Sequence, residues 1–285
     1  MLSIVQKIKV SFKLPIFYIN IMSTPKVSII MATYNGEKTL AKSLDSIIAQ
    51  TFTDWEFVIC DDCSTDCTNK ILQEYAGKDT RFKILRNETN SKLAYSLNKC
   101  LENCSGEYIA RMDDDDESLP QRLETQVKFL QEHSEYVVVG SAALISDGNK
   151  ILGKRIPKEY PTQNDVLRGP TFMHPTIMMR KCAYDKLDGY TVSSRTQRGQ
   201  DWDLWFKFYA AGMKGYNIQD PLYIYRENSA AYKKRTLRTA LMYSSTAFHG
   251  FQAIKAPFYK YILILKPIIA ALTPRAALNW IHIKK

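Results

Sequence analysis

The sequence has no acidic residue after Glu227, although it contains 29 Asp and Glu residues among its 285. Ten of its 39 Lys and Arg residues lie in that acid-free part, and the other 29 balance the acids of residues 1–227. The body is therefore formally neutral, and the net charge of +10 belongs to the C-terminal part. A basic tail could bind nucleic acid through phosphate contacts. A neutral body that carries a run of acids argues against that class of protein, and we expect no nucleic-acid partner.

The C-terminal part also lacks an apolar run long enough to cross a membrane. Residues 256–272 are interrupted by Lys260, Lys266 and Pro267, whereas a spanning helix needs about 20 apolar residues. The mixture of basic, aromatic and apolar residues favours a helix that lies on an anionic membrane surface. The alternative is a tail that packs back on the body. We expect a cytoplasmic protein that is peripheral at the inner face of the cell membrane.

Two other kinds of pattern are missing. The six cysteines, at positions 60, 63, 67, 100, 104 and 182, do not form the paired Cys-x2-Cys spacing of a zinc ribbon. We therefore expect reduced cytosolic thiols rather than zinc ligands. Residues 1–21 lack a continuous apolar core before a small-residue cleavage site, which argues against a signal peptide.

What the sequence does contain is an alternation of strands and helices over its first 130 residues. The apolar pattern predicts strands at 27–32, 55–60 and 82–85 and helices at 37–50, 68–75 and 92–104. Further strands are predicted at 136–145 and 172–179. This order predicts an α/β fold with a doubly wound, mostly parallel sheet. Ligands of such sheets bind beyond the carboxyl ends of the strands, so the polar residues that follow each strand should meet there.

The most informative stretch is a run of four aspartates, Asp113 to Asp116. It follows a short strand with apolar residues at every second position, and Ser118 reads as the cap of a following helix. Carboxylates near a helix start are favourable, but adjacent acids repel one another and raise one another's pKa. A hard cation such as Mg²⁺ or Mn²⁺, shared with phosphate groups of a ligand, would relieve this repulsion. In an extended segment Asp113 and Asp115 would lie on one side.

At this point the motifs resemble those of the family 2 glycosyltransferases, which have the GT-A fold. The resemblance covers about residues 26–228 and rests on five motifs in order: Val27 to Asn35, Asp61 to Asp66, Gly106 to Asp116, His174 to Thr176, and Gln200 to Trp205. It implies an N-terminal extension at 1–25, a GT-A catalytic domain at 26–232 and a basic helical tail at 233–285.

The resemblance also implies roles for donor-side residues. Tyr34, next to Thr33, would lie against the nucleotide base, and Asp62, together with Asp61, would accept a hydrogen bond from uracil. Asp113 and Asp115 take the two acidic positions of the Asp-x-Asp motif, with Asp114 between them. In the family the first reaches the ribose and the second binds the metal that holds the diphosphate, so we take Asp115 and Asp113 as metal ligands. Lys92 could reach a phosphate, or it could be a solvated lysine at a helix start.

On the acceptor side, Asp201 resembles the family's catalytic base. Without the resemblance it would read as an acid at a helix N-terminus. His174 could line the pocket, although a lone His before Pro is more often structural. The sequence departs from the family pattern in three places: Cys63 and Ser91 replace frequent glycines, and Gln200 replaces the usual Glu before the base.

These residues together predict an inverting glycosyltransferase that depends on Mn²⁺ or Mg²⁺ and uses a nucleotide sugar, a UDP-sugar in our prediction. It would transfer a sugar to a hydroxyl of a glycan or lipid-linked saccharide during surface polysaccharide synthesis. The rival within enzymes is a sugar-phosphate nucleotidyltransferase. That class should have a Gly-rich phosphate loop with Arg and Lys after its first strand, and residues 33–37 do not form one.

Overall fold

The structure is a computed structural model that describes residues 24–227 and 236–273. The predicted N-terminal extension lies almost wholly outside this part of the chain. The basic run at 233–235 and the last twelve residues of the predicted tail also lie outside it.

The first half of the chain alternates strands and helices, as predicted. Strands in this half are apolar because helices cover both faces of the sheet. The elements are β1 (Val27–Thr33), α1 (Leu40–Ile48), β2 (Trp55–Asp61), α2 (Thr68–Ala76), β3 (Phe82–Arg86), α3 (Leu93–Glu102) and β4 (Tyr108–Arg111).

The second half completes the sheet and adds helices to it. Its elements are β5 (Glu117–Ser118), α4 (Arg122–Glu132), β6 (Val138–Ser146), β7 (Ile151–Arg155), α5 (Gln163–Val166), β8 (Met178–Arg180), α6 (Lys181–Leu187), α7 (Gln200–Ala210) and β9 (Gly215–Arg226). Short 3-10 turns lie at His174–Thr176 and Ser194–Thr196.

Within the described residues these strands form one sheet in the order β3-β2-β1-β4-β8-β6-β9-β5, with β7 paired to β6. β1 to β4 are mutually parallel, and β6 is parallel to β9. β8 is antiparallel to both β4 and β6 and joins the two halves. The α/β class and its doubly wound parallel half are confirmed, and the carboxyl ends of β1 to β4 lie along one edge.

Two apolar layers pack on opposite faces of this sheet, as the alternation within β1 illustrates. Ile29 and Met31 join one layer and Ile30 joins the other, and none of the three is exposed to solvent. Full burial of an aliphatic side chain contributes about 1.5–3 kcal/mol. These layers fix the position of the sheet edge on which the polar residues stand.

Three local predictions are wrong. Ser118 does not cap a helix but lies in β5, paired with β9, and α4 begins only at Arg122. The run of acids is not an extended strand, because Asp114 and Asp115 lie in a turn, so alternation does not assign the sides on which the acids lie. The strand predicted at 172–179 is mostly a 3-10 turn followed by the short β8. In each case contacts with distant strands decided the local conformation.

The C-terminal part packs on the domain through α8 (Leu237–Ala253), where Phe251 is fully buried and lies against Phe206. A 3-10 segment (Phe258–Leu265) and α9 (Lys266–Leu272) follow. One side of these two segments is exposed to solvent and carries apolar residues. In the parts of the chain that the structure describes, none of the helices has the length and apolar character needed to cross a membrane.

Candidate functional site

The loops that follow β1, β2 and β3 are bonded to one another at the carboxyl edge of the sheet. The backbone amide of Asp62 donates to the Thr33 carbonyl oxygen at 2.9 Å, and the backbone amide of Asn87 donates to the Asp61 carbonyl oxygen at 2.9 Å. Each loop also contains a non-glycine residue with positive φ: Asn35, Cys63 or Lys92. Such conformations cost about 1–3 kcal/mol each and cluster at functional sites.

The two acids at the end of β2 hold this loop cluster together. The Asp62 carboxylate accepts hydrogen bonds from the Asn87 side chain at 2.7 Å and from the amides of Ser91 and Lys92 at 2.8 and 2.9 Å. Asp61 is fully buried and accepts from the Ser64 amide at 2.9 Å. Both acids stand where a base-binding residue is expected, but their visible partners belong to the protein. Their contact with uracil stays a prediction.

Tyr34 and Lys92 are the exposed members of the predicted donor side. Half of the Tyr34 side chain is exposed beside the loop cluster, so its ring face can stack on a base. Lys92 is exposed, with a backbone φ of 73° and ψ of 165°. Both side chains are exposed at this edge of the sheet, and their contacts with a nucleotide sugar stay predictions.

The four aspartates have different protein partners. Asp113 Oδ1 lies 2.5 Å from Nη2 of the buried Arg111, and its backbone amide donates to the Tyr223 hydroxyl at 3.2 Å. Asp114 accepts a hydrogen bond from Thr33 Oγ1 at 2.5 Å. Asp116 is buried and accepts from the Arg226 amide at 2.7 Å. Thr33 therefore contacts the acid run rather than standing alone at the strand end.

The acids repel one another. Burial, together with the charges of Asp113 and Asp115, raises the pKa of Asp114 to about 6. Burial and the Asp113 charge also raise the pKa of Asp115, and they raise that of Asp116 well above its ordinary value. The negative charge of the run is therefore only partly compensated by Arg111.

The donor set fits a cation that is shared with a ligand rather than enclosed by the protein. Among the described residues no group of three His, Cys, Asp or Glu side chains is placed to hold a metal ion. One or two carboxylates with substrate phosphates are the usual ligands of Mg²⁺. Burial and, after it, repulsion by Asp113 raise the pKa of Asp115. A cation would relieve this repulsion, so these two carboxylates fit a shared cation.

A cavity of about 300 Å³ connects the acid run with the predicted base. Asp113 and Asp201 both line it, although they are 88 residues apart in the sequence. Other walls come from Arg111, Arg155, His174, Gln200 and Tyr225. The structure thus brings together Asp113, the first acid after β4, and the start of α7, whereas Asp115 and Asp116 line a separate small pocket beside Lys42 and Arg226.

Asp201 lies in the first turn of α7, which begins after Gly199 with φ of 90°. One of its carboxylate oxygens accepts a hydrogen bond from the Trp202 backbone amide at 2.8 Å. Burial raises the pKa of Asp201, and the charge of Asp113 raises it further. A carboxylate with a raised pKa is a stronger base, which suits proton abstraction.

His174 is buried and held by a tyrosine. Its Nε2 atom lies 2.8 Å from the Tyr190 hydroxyl, which lies 3.2 Å from that of Tyr184. Burial lowers the pKa of His174 well below its ordinary value, and the charge of Arg111 adds to this effect. His174 is therefore a neutral, bonded side chain that also lines the cavity.

The sequence analysis missed Arg111, Arg155, Tyr223 and Tyr225. Arg155 lines the cavity from β7 and lies 3.2 Å from Glu227. An arginine inside a strand that otherwise reads as buried was a usable signal for Arg111. For Arg155 and Tyr225 the sequence held no signal, because only the pairing of β6 with β7 and β9 brings them to the cavity.

Comparison with known proteins gives a consistent result. The family model described as "Glycosyl transferase family 2" matches residues 28–188. The chain is 44% identical over 264 residues to EpsE of Bacillus subtilis (strain 168), a provisionally assigned glycosyltransferase, covering 92% of this chain and 95% of EpsE. It is 35% identical over 142 residues, half of this chain and 55% of the relative, to the Escherichia coli protein named "UDP-Glc:alpha-D-GlcNAc-diphosphoundecaprenol beta-1,3-glucosyltransferase WfgD".

A solved structure supports the fold. S. aureus TarS 1-349, in complex with UDP-GlcNAc, superposes with a TM-score of 0.65 at 21% identity, covering 87% of this chain and 82% of TarS. Similarity at this level of identity shows a shared fold. The GT-A fold that the sequence motifs implied is therefore confirmed.

Proposed function

The chain belongs to glycosyl transferase family 2 and transfers sugars in glycan synthesis, and from this premise we propose an inverting, metal-dependent enzyme that uses a UDP-sugar. The observation that carries the proposal is the cavity that Asp113 and Asp201 share. A donor-side acid and an acceptor-side base line the same small space. This arrangement suits a single displacement, in which the acceptor hydroxyl attacks the sugar as the diphosphate leaves.

The donor lies across the carboxyl edge of the sheet in this proposal. Uracil stacks on Tyr34 and approaches Asp62, and the diphosphate extends toward the acids, with Lys92 within reach of a phosphate. Asp113 and Asp115 would hold Mn²⁺ or Mg²⁺, which when bound stabilises charge on a diphosphate leaving group. The name of WfgD states UDP-Glc, and the similar TarS structure is a complex with UDP-GlcNAc, which supports UDP as the nucleotide.

Asp201 acts as the general base. Its carboxylate accepts the proton of the acceptor hydroxyl as the oxygen attacks the anomeric carbon. A positioned base of this kind contributes roughly 10²–10⁴-fold in rate. Arg111 holds Asp113 at the other side of the cavity, and Arg155 adds a positive charge near the place where the donor's sugar would lie.

The acceptor is a lipid-linked saccharide, and the enzyme works on an anionic membrane surface. WfgD is named for a diphosphoundecaprenol-linked acceptor, which supports the first statement. The second is supported by an exposed apolar stripe at Phe258, Ile262, Leu265, Ile269 and Leu272, whose side chains are 44–90% exposed. Such a stripe beside Lys255, Lys260 and Lys266 suits an anionic bilayer surface.

A panel of nucleotide sugars tests the proposed function. We expect one UDP-sugar to raise the thermal unfolding midpoint in the presence of Mn²⁺ and to be hydrolysed slowly when no acceptor is present. With an acceptor, NMR of the product should show an inverted anomeric configuration. A retained configuration, or equal stabilisation by UDP with and without metal, would contradict the corresponding part of the proposal.

A further inference from the structure

A second cavity, of about 770 Å³, lies between the C-terminal helices and residues 167–170. We call it the tail groove. Its walls are largely apolar and include Leu167, Trp202, Tyr243, Leu263, Ala270 and Ala271. Its volume falls within the roughly 300–1,000 Å³ that is usual for ligand sites. The groove is large enough for part of a lipid chain.

The charged residues of the tail groove are all cations. Arg168, Arg198 and Lys266 line it, all three are exposed, and the described lining contains no Asp or Glu. The Lys266 ammonium donates to the Arg168 backbone carbonyl oxygen at 3.4 Å, which holds α9 against residues 167–170. Exposed cations beside an apolar wall are complementary to an anionic head group that is attached to an apolar chain.

The tail groove adjoins the cavity that contains Asp201. Pro170 and Tyr225 line both spaces, and Trp202, which lines the groove, directly follows Asp201 in α7. A molecule bound in the groove therefore has a path of contacts to the base. The groove also lies on the inner side of α9, the helix whose exposed side carries Ile269 and Leu272.

We propose that the tail groove binds the lipid chain and phosphate groups of the acceptor and thereby brings the acceptor sugar to Asp201. This inference rests on the proposed function, because it supplies the place where a lipid-linked saccharide would be held. The apolar wall contacts the chain, and Arg168, Arg198 and Lys266 contact the phosphates. A free polar sugar would match neither the wall nor the cations.

Farnesyl diphosphate is a suitable probe, with inorganic diphosphate and farnesol as its separated parts. Calorimetry is carried out on the full chain in EDTA, so that the aspartates cannot hold diphosphate through a metal. We expect farnesyl diphosphate to bind at least tenfold more tightly than either part. Equal binding of farnesyl diphosphate and inorganic diphosphate, or no binding of farnesyl diphosphate, would overturn the proposal.

Two pairs of variants locate the binding. Ala270→Trp fills the groove, whereas Ile269→Trp changes the exposed side of the same helix. Arg168→Ala with Arg198→Ala removes two cations, whereas Arg238→Ala removes a cation of α8 that does not line the groove. We expect at least a tenfold loss of farnesyl diphosphate affinity for the first member of each pair and no change for the second.

The unfolding midpoint of each variant reports whether it folds. If Ala270→Trp does not fold, the exposed arginine pair decides the question, since neither arginine is buried. Unchanged affinity in the arginine variant would then overturn the proposal. Hydrolysis of nucleotide sugars by the unaltered chain is a separate test of the proposed function. A chain that binds farnesyl diphosphate but hydrolyses no nucleotide sugar would keep the groove as a lipid site and lose its role in glycosyl transfer.

Discussion

Nη2 of Arg111 lies 2.5 Å from Oδ1 of Asp113, so that a buried guanidinium holds the first acid of the run. Asp115, the other acid of the Asp-x-Asp pair, has no such partner among the contacts of the described residues, and burial raises its pKa. The two acids look equivalent in the motif, but one stabilises the folded state and the other destabilises it. Asp113 is paired with a buried cation, whereas Asp115 adds a negative charge that has no ion-pair partner among the described residues.

This difference predicts opposite effects of neutral substitutions. Asp113→Asn leaves the buried Arg111 without its anion and should lower the free energy of unfolding by about 1–3 kcal/mol, since Asp113 is partly exposed and the pair is screened. Asp115→Asn removes a carboxylate whose ionised form is disfavoured in the folded state, so stability at pH 7 should stay equal or rise. Urea unfolding in EDTA measures both. An equal loss for the two variants would contradict the assignment.

Substitutions of neighbouring acids of the run should differ in their effect on metal-dependent nucleotide binding. We expect Asp115→Ala to abolish the part of UDP affinity that depends on Mn²⁺. Asp114→Ala should have a much milder effect, because that side chain is already bonded to Thr33. Calorimetry with UDP, with Mn²⁺ and then with EDTA, gives both values. Full Mn²⁺-dependent binding by Asp115→Ala would remove Asp115 from the metal site.

Asp201→Asn should greatly reduce sugar transfer without destabilising the fold. Transfer should fall roughly 10²–10⁴-fold because the amide cannot accept the proton. Donor binding should hardly change, since Asp201 serves the acceptor. Because the pKa of Asp201 is raised in the folded state, ionisation of this carboxyl destabilises the fold. The free energy of unfolding of the unaltered chain should therefore fall as pH rises from the ordinary pKa of Asp to the raised one. The variant should lack this loss.

The pH–rate profile checks the same assignment. Because the base must be ionised, transfer should fall as the pH decreases through the raised pKa of Asp201, above the ordinary value of 3.8. Measuring kcat/KM from pH 4 to pH 8 locates this limb. A variant with near-normal turnover, or a profile without an acid limb, would exclude Asp201 as the base.

The parallel half of the fold could be predicted because each of its strands is a local apolar run with a turn and a helix after it. The same reasoning found the edge where Thr33, Asp62 and Asp113 meet. It failed at Ser118, where a helix cap and a strand start have the same local composition. Pairing of Ser118 with Tyr223 of β9, 105 residues later, decided the conformation.

Some residues of the candidate site could not be predicted for the same reason. Arg155 and Tyr225 have ordinary local surroundings in the sequence, and only the register of β6 with its neighbours gives them a role. Burial of Arg111 likewise depends on the antiparallel β8 beside β4. Periodicity within one segment cannot reveal contacts that depend on a distant strand.

Positive φ at Lys92 gives a prediction about strain. Its φ of 73° and ψ of 165° lie in a region that essentially only glycine occupies without cost. Lys92→Gly should therefore be more stable than Lys92→Ala by about 1 kcal/mol, even though glycine has the more flexible unfolded chain. At the exposed Lys38, which is not among the positive-φ residues, alanine should be at least as stable as glycine. Denaturant unfolding of the four variants gives the comparison.

The exposed stripe on the C-terminal segment predicts membrane binding that can be tested without removing the tail. Deletion from residue 253 would remove Ile254, which is buried, and Tyr261, which packs on Phe251, so loss of folding would confuse the result. Ile262→Ser with Ile269→Ser changes only exposed residues of the stripe, and Ile151→Ser with Leu152→Ser is a matched pair on β7.

The unaltered chain should sediment with anionic vesicles at low salt and much less with neutral ones, because each Lys or Arg near an anionic surface contributes about 1 kcal/mol. The stripe variant should lose most of this binding, since two apolar side chains no longer enter the interface. The β7 variant should sediment like the unaltered chain. If both double variants sediment equally well, the stripe does not contact the bilayer, and its exposed residues need another partner.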